Sequence, residues 1–158
     1  MNASYSSCLT ARIRSVAVQI EAGTSGSGVI VGDNGNEYLI ATSRHVVSSI
    51  NTGEEADILW NGRKVGSIGK PNIWLSNDYD LALIRLNSKE VLPSAPLPDT
   101  SLSLMGKPII IAGYPVDSDI VSKDGRSLRV SIGTVAAEST ASSSQDGYSI
   151  GYTAPTTG

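Results

Sequence analysis

Apolar residues in this chain fall in short runs of four to eight positions, rich in Val, Ile, Leu or Tyr, and clusters of Gly and Ser separate them. The 16 glycines and 24 serines punctuate the sequence often enough to break any long element. Runs of that length between turn formers predict β-strands. Six are expected before residue 87: Val16 to Glu21, Gly28 to Val31, Tyr38 to Thr42, Ala56 to Trp60, Lys64 to Gly69 and Leu81 to Leu86. No stretch of 12 or more residues carries a convincing 3.6-residue period, and the best helical candidate is the segment from Ser43 to Ile50, one or two turns at most. The pattern predicts an all-β fold with helix as a minor component.

From Asn87 to Thr100 the chain holds three of its seven prolines, which donate no ladder hydrogen bond and favour extended backbone outside a sheet. This segment reads as a linker. Three further strands are expected after it, Pro108 to Ala112, Leu128 to Ala137 and Tyr148 to Thr153, with Gly133 able to bend the second. The polar stretch Glu138 to Gly147 between the last two ends in an Asp-Gly turn signal. The expected organisation is a lead-in over 1–15, a first barrel over 16–86, a linker over 87–103 and part of a second barrel over 104–158. Six antiparallel strands can close a small barrel, whereas three leave an open sheet with an edge and an uncovered face. A remainder of the same protein, or a second chain, is therefore expected to complete the second half.

Composition narrows the chemistry. With 40% hydrophobic and 17% charged residues the chain can bury a core and is not an intrinsically disordered sequence. Twelve Lys and Arg against fifteen Asp and Glu give a formal charge of −3, the wrong sign for gripping phosphate backbones, so nucleic acid is not expected as a partner. A single cysteine, Cys8, excludes an internal disulfide, and a single histidine, His45, leaves too few ligands for a zinc site, so no metal or cofactor is expected. No membrane span and no secretion signal is visible, which suggests a cytoplasmic protein, although a chain beginning after a removed leader has the same appearance.

The one histidine stands at the exit of an apolar strand, in Tyr38-Leu39-Ile40-Ala41-Thr42-Ser43-Arg44-His45-Val46-Val47. There it is held by rigid scaffold yet reaches the surface, as a general base must; a loop histidine without a task has the same local look. A carboxylate precedes the apolar run Leu81-Ala82-Leu83-Ile84 at Asp80. Drawn partly towards the core, it needs a donor, and an imidazole N–H is a suitable one. Asp78 is its rival, two residues away on the same side of an extended chain. Asp80 could also simply start a strand at the surface.

Together with Gly26-Ser27-Gly28-Val29-Ile30-Val31, these pieces resemble the trypsin-like, chymotrypsin-fold serine peptidases, especially their disulfide-poor bacterial Deg/HtrA branch. The matching segments in order are Gly26 to Val31, Arg44-His45-Val46-Val47, Asp80-Leu81-Ala82-Leu83-Ile84, Ile109 to Pro115 and Ser131-Ile132-Gly133-Thr134-Val135. Arg44 departs from the family's usual alanine. The resemblance implies a chymotrypsin-like double β-barrel, the first barrel complete and the second partly present. It also implies a Ser-His-Asp triad with His45 as base and acid and Asp80 fixing its tautomer.

The serine should lie in a Gly-x-Ser-Gly-Gly segment, and the 158 residues contain none. If Gly158 is that segment's first glycine, the nucleophile lies about two residues further on and Gly158 supplies one oxyanion-hole N–H. The base of the substrate pocket then falls near Ala154, with no carboxylate to favour cleavage after Lys or Arg. Gly23-Thr24-Ser25-Gly26 offers Ser25 as a permuted nucleophile, but a glycine-rich turn into the second strand is the better reading of it. The expected function is thus a serine endopeptidase acting on protein or peptide substrates once the serine-bearing segment is supplied. The alternative is an inactive relative that uses the barrel to bind a peptide or protein.

Overall fold

The computed structural model describes residues 3–97, 99, 102–115, 121–122, 125–138 and 150–154. A helix, α1 (Ala3–Val16), opens the chain. It is followed by β1 (Ala17–Glu21), β2 (Gly26–Asn34), β3 (Glu37–Thr42), the single-turn α2 (Arg44–Val47), β4 (Glu55–Trp60), β5 (Arg63–Gly69), β6 (Ile73–Leu75) and β7 (Ala82–Asn87). These strands form one antiparallel sheet of seven in the order β5-β4-β1-β2-β3-β7-β6. The second part contributes β8 (Pro108–Gly113), a small hairpin of β9 (Val121–Ser122) and β10 (Gly125–Arg126), then β11 (Arg129–Glu138) and β12 (Ile150–Tyr152). Here β11 lies between β8 and β12. A curled first sheet and a smaller second one make the chymotrypsin-like partial double barrel.

Period-two alternation builds the first core. Along β7 the buried positions are Ala82, Ile84 and Leu86, and the register places Ile84 opposite Ile40 on β3, which in turn faces Ile30 on β2. Val18, Ile20, Ile58 and Ile68 complete an interior dominated by β-branched side chains, which suit a pleated surface. The sheet curls until β5 meets β7. At Gly66 an added Cβ would stand 2.7 Å from Leu86 Cδ1 and 3.1 Å from the Asn87 carbonyl oxygen, so the two strands approach only because Gly66 has no side chain. Asn61 and Gly62, both with positive φ, form the two-residue turn from β4 to β5 that such backbone favours.

Three differences from the sequence reading have physical causes. The chain from Ala3 is helical, and Val16 ends that helix instead of opening a strand. Leu9, Ile13 and Val16 are half-buried at helical spacing, but the stripe is one residue wide and broken by serines and arginines. The helix end is held from far away: Trp60 Nε1 donates to the Ser15 carbonyl at 2.7 Å. The seventh strand of the first sheet, β6, has only three residues and exists through its pairing with β7, too short for a pattern to reveal. The proline-bearing segment after β7 is fastened to the first sheet rather than free. Leu92 is buried, the Tyr38 hydroxyl donates to the Glu90 carbonyl (3.0 Å) and accepts from the Leu92 N–H (3.2 Å), and the Ala95 N–H reaches the Ile30 carbonyl at 2.7 Å.

The two sheets meet where β8 lies against β1 and β2. Ser27 Oγ accepts the Tyr114 N–H at 2.6 Å, and Gly113 leaves only 3.0 Å between that oxygen and a would-be Cβ. The second sheet is less well covered than the first. Ile132 and Val130 on β11 remain exposed, as do Ile150 and Tyr152 on β12. Shortening a fully enclosed side chain should cost far more than shortening an exposed one. Ile40→Ala is expected to lose about 2–5 kcal/mol and Ile132→Ala under about 0.5 kcal/mol, read by urea unfolding of the two variants.

Candidate active site

At the end of β3 the Thr42 hydroxyl donates to the Ser27 carbonyl at 2.7 Å and fixes the strand's exit. Ser43 is extended, with φ −73 and ψ 141, and the chain then makes the single turn of α2. Val46 and Val47 sink into the core while Arg44 and His45 stay exposed, so the turn is anchored by one face and presents the other. Room for that anchor comes from Gly26, where a Cβ would sit 2.6 Å from Val46 Cγ2. The Gly-Ser-Gly stretch therefore has a packing task at Gly26 and a sheet-joining task at Ser27.

Asp80 arrives from the loop before β7. Its Oδ2 lies 2.7 Å from His45 Nδ1, and its Oδ1 accepts the His45 backbone N–H at 2.9 Å. Both carboxylate oxygens are thus used on the same residue. The Asp80 side chain is 23% exposed and that of His45 67%, which leaves the ring open to solvent while the carboxylate bonded to it is largely covered. Burial pushes the Asp80 carboxyl upward, but the His45 N–H, the imidazole and the Arg44 backbone N–H together outweigh it and hold the group below its usual value of 3.8.

The loop itself is shaped by Ser76. Its N–H donates to the Leu81 carbonyl at 2.9 Å and its Oγ accepts the N–H groups of Asp78 and Tyr79 at 3.3 and 3.2 Å. Arg44 Nη1 donates to the Ser76 carbonyl at 3.0 Å and ties the loop to α2. Arg44, His45, Ser48 and the loop residues Asn77, Asp78, Tyr79 and Asp80 line a depression of about 280 Å³.

Of the residues singled out from sequence, His45 and Asp80 are brought together. Asp78 shares the depression, but its backbone turns to Ser76 and the imidazole takes Asp80. Ser25 precedes β2 in the turn over α2 and is not among the residues lining the depression. Ala154, expected near a pocket base, lies against β11, where an added Cβ on Gly133 would be 2.6 Å from its Cβ. Gly158 lies outside the described residues. Among the described residues no three His, Cys, Asp or Glu side chains are grouped to hold a metal ion, and no helix is long and apolar enough to cross a membrane. Ser76 and the tie from Arg44 were not anticipated; a serine opening Ser-Asn-Asp is a local turn signal that points to the first of them.

A curled seven-stranded antiparallel sheet joined to a smaller second sheet defines the class of chymotrypsin-like proteins. The chain belongs to the trypsin-like peptidase domain family, whose family model matches residues 26–158. It is 28% identical over 104 residues to the serine protease Do-like HtrA of Lactococcus lactis subsp. lactis (strain IL1403), a match covering 65% of this chain and 24% of that protein. The same figures hold for the HtrA of Lactococcus lactis subsp. cremoris (strain MG1363). The chain thus spans about a quarter of the length of these relatives. Among solved structures, the Rv3671c protease in its inactive form shares the fold with a TM-score of 0.56 at 15% identity, over 87% of this chain and 60% of that one.

The sign of the pH dependence follows from the lowered carboxyl. Asp80 contributes stability that is fully present above 3.8 and is lost as pH falls through its lower folded value. Between about pH 5 and about pH 2 the wild type should therefore lose more thermal stability than Asp80→Asn, compared by melting temperature across that range.

Proposed function

We propose that this chain is the His- and Asp-bearing portion of a serine endopeptidase, with His45 as general base and then general acid and Asp80 as the group that orients it. The observation that carries the reading is the two-point attachment of Asp80 to His45 beside an exposed ring. A proton held on Nδ1 by the carboxylate leaves the Nε2 lone pair facing outward, able to accept the proton of a serine hydroxyl as its oxygen attacks a peptide carbonyl. The imidazolium so formed is stabilised by Asp80 and returns the proton to the leaving amine. Water then repeats the sequence and releases the acyl group.

The serine belongs, in this reading, to a segment outside these 158 residues, carried by the same protein or by a second chain. The exposed Val130 and Ile132, which share one face of β11, support that assignment, since they offer an apolar surface on which further strands would pack. Substrates are proteins or peptides, which lie extended across such a cleft.

A fluorophosphonate probe and a protein substrate test the proposal. The protein carrying the serine segment should be labelled and should hydrolyse the substrate, while the 158-residue chain alone should remain unlabelled. In the serine-bearing form, His45→Ala should lower kcat by about 10³-fold or more, since base and nucleophile act as one unit. Retention of turnover in that variant, or labelling of the isolated chain, would sink the assignment. Full binding of a partner by His45→Ala with no turnover in any form would instead favour the binding-module reading.

A further inference from the structure

Arg44 is exposed, yet its guanidinium is directed at a backbone carbonyl on another loop. Nη1 donates to the Ser76 oxygen at 3.0 Å, across 32 positions of sequence. Ser76 is a buried node. It receives the Asp78 and Tyr79 N–H groups on its hydroxyl and closes the loop by donating to the Leu81 carbonyl, so residues 76–81 hold their shape through bonds internal to the loop. What docks this preformed loop onto α2 is a different set of contacts. They are the Asp80 carboxylate on the backbone and ring of His45, and the Arg44 side chain on Ser76. The turn of α2 therefore grips the loop at both ends, His45 at the carboxylate and the Arg44 side chain four residues upstream.

We propose that Arg44 is a positioning residue: by clamping the Ser76 carbonyl it holds Asp80 at the distance that keeps the proton on His45 Nδ1 and leaves Nε2 free. The inference rests on the reading of His45 and Asp80 as base and orienter. A charged donor on a carbonyl is a strong hydrogen bond, and a planar guanidinium fixes direction as well as distance. Without it the loop keeps its own turn, but only the carboxylate still ties it to α2, at an exposed ring. Small displacements of an orienting group lower the rate without weakening substrate binding.

The single histidine makes the test direct. In the isotopically labelled 158-residue chain, imidazole ¹⁵N shifts report which ring nitrogen carries the proton, a readout that needs no turnover. An unrestrained neutral imidazole in water takes mostly the Nε2–H form, so the Nδ1–H form marks the docked carboxylate. The wild type is expected as Nδ1–H, Asp80→Ala as mostly Nε2–H, Arg44→Ala as a mixture of the two, and Arg44→Lys, which keeps a donor, closer to wild type.

Because Arg44 is exposed, its removal should leave the fold intact. In the serine-bearing protein Arg44→Ala should lower kcat about tenfold with KM within about twofold. Arg63→Ala, which removes a surface ion pair with Glu90 at 3.8 Å, serves as the control that changes neither. A tautomer that shifts in Asp80→Ala but not in Arg44→Ala overturns the role of Arg44 alone. One that shifts in neither overturns that role together with the reading of the His–Asp pair. Loss of turnover in His45→Ala without any tautomer change in Arg44→Ala leaves the endopeptidase reading standing and the clamp refuted.

Discussion

Everything at the candidate site depends on where one carboxylate is held. Asp80 is largely covered, and a covered carboxylate is costly unless each oxygen finds a donor. Here one oxygen meets the backbone N–H of His45 and the other its ring nitrogen, so the contacts that satisfy the charge also fix the ring's azimuth. A contact through the ring alone would leave the imidazole able to swing. The backbone bond locks α2 and the loop before β7 together, and the ring follows. The rest of the first sheet can be seen as the support of that bond: Thr42 fixes the strand exit, Val46 and Val47 anchor the turn, and Gly26 makes space for Val46.

The strands were legible because short apolar runs rich in Val, Ile and Leu are cut apart by Gly, Ser and other turn formers. β3, β7 and β8 lie within a residue of where the apolar runs place them, as does β11, while β2 runs beyond its apolar stretch through Asp33 and Asn34. What escaped reading is what long-range contacts create. The helix from Ala3 has a narrow apolar stripe and depends at its end on Trp60, and β6 is defined by its neighbour on the sheet. The site divides in the same way. His45 and Asp80 are visible as residue types beside apolar strands, and their convergence follows from β3 and β7 being adjacent in the sheet. The Arg44 to Ser76 contact is not visible, since a backbone carbonyl has no letter in a sequence.

The two sheets are unequal in how they satisfy their apolar surface. In the first, curling brings Gly66 against Leu86 and encloses the isoleucines. In the second, β11 serves two partners in succession, β8 along its first part and β12 along its last, with a register shift between Val135 and Ala137. Gly133 stands where these partners change and lets the chain at Thr153 and Ala154 cross over the strand, since a Cβ there would collide with the Thr153 carbonyl oxygen. The stretch after β12 is thereby steered by a residue twenty positions earlier.

The placement of the two tryptophans has an optical consequence. Trp60 is half-buried with its indole N–H bonded to the end of α1, while Trp74 on β6 is 58% exposed. Intrinsic emission from the native protein is thus a sum of two environments of different polarity. Quenching by a small aqueous solute would silence Trp74 first, leaving a signal from Trp60 that tracks the seating of the N-terminal helix without any dye or label.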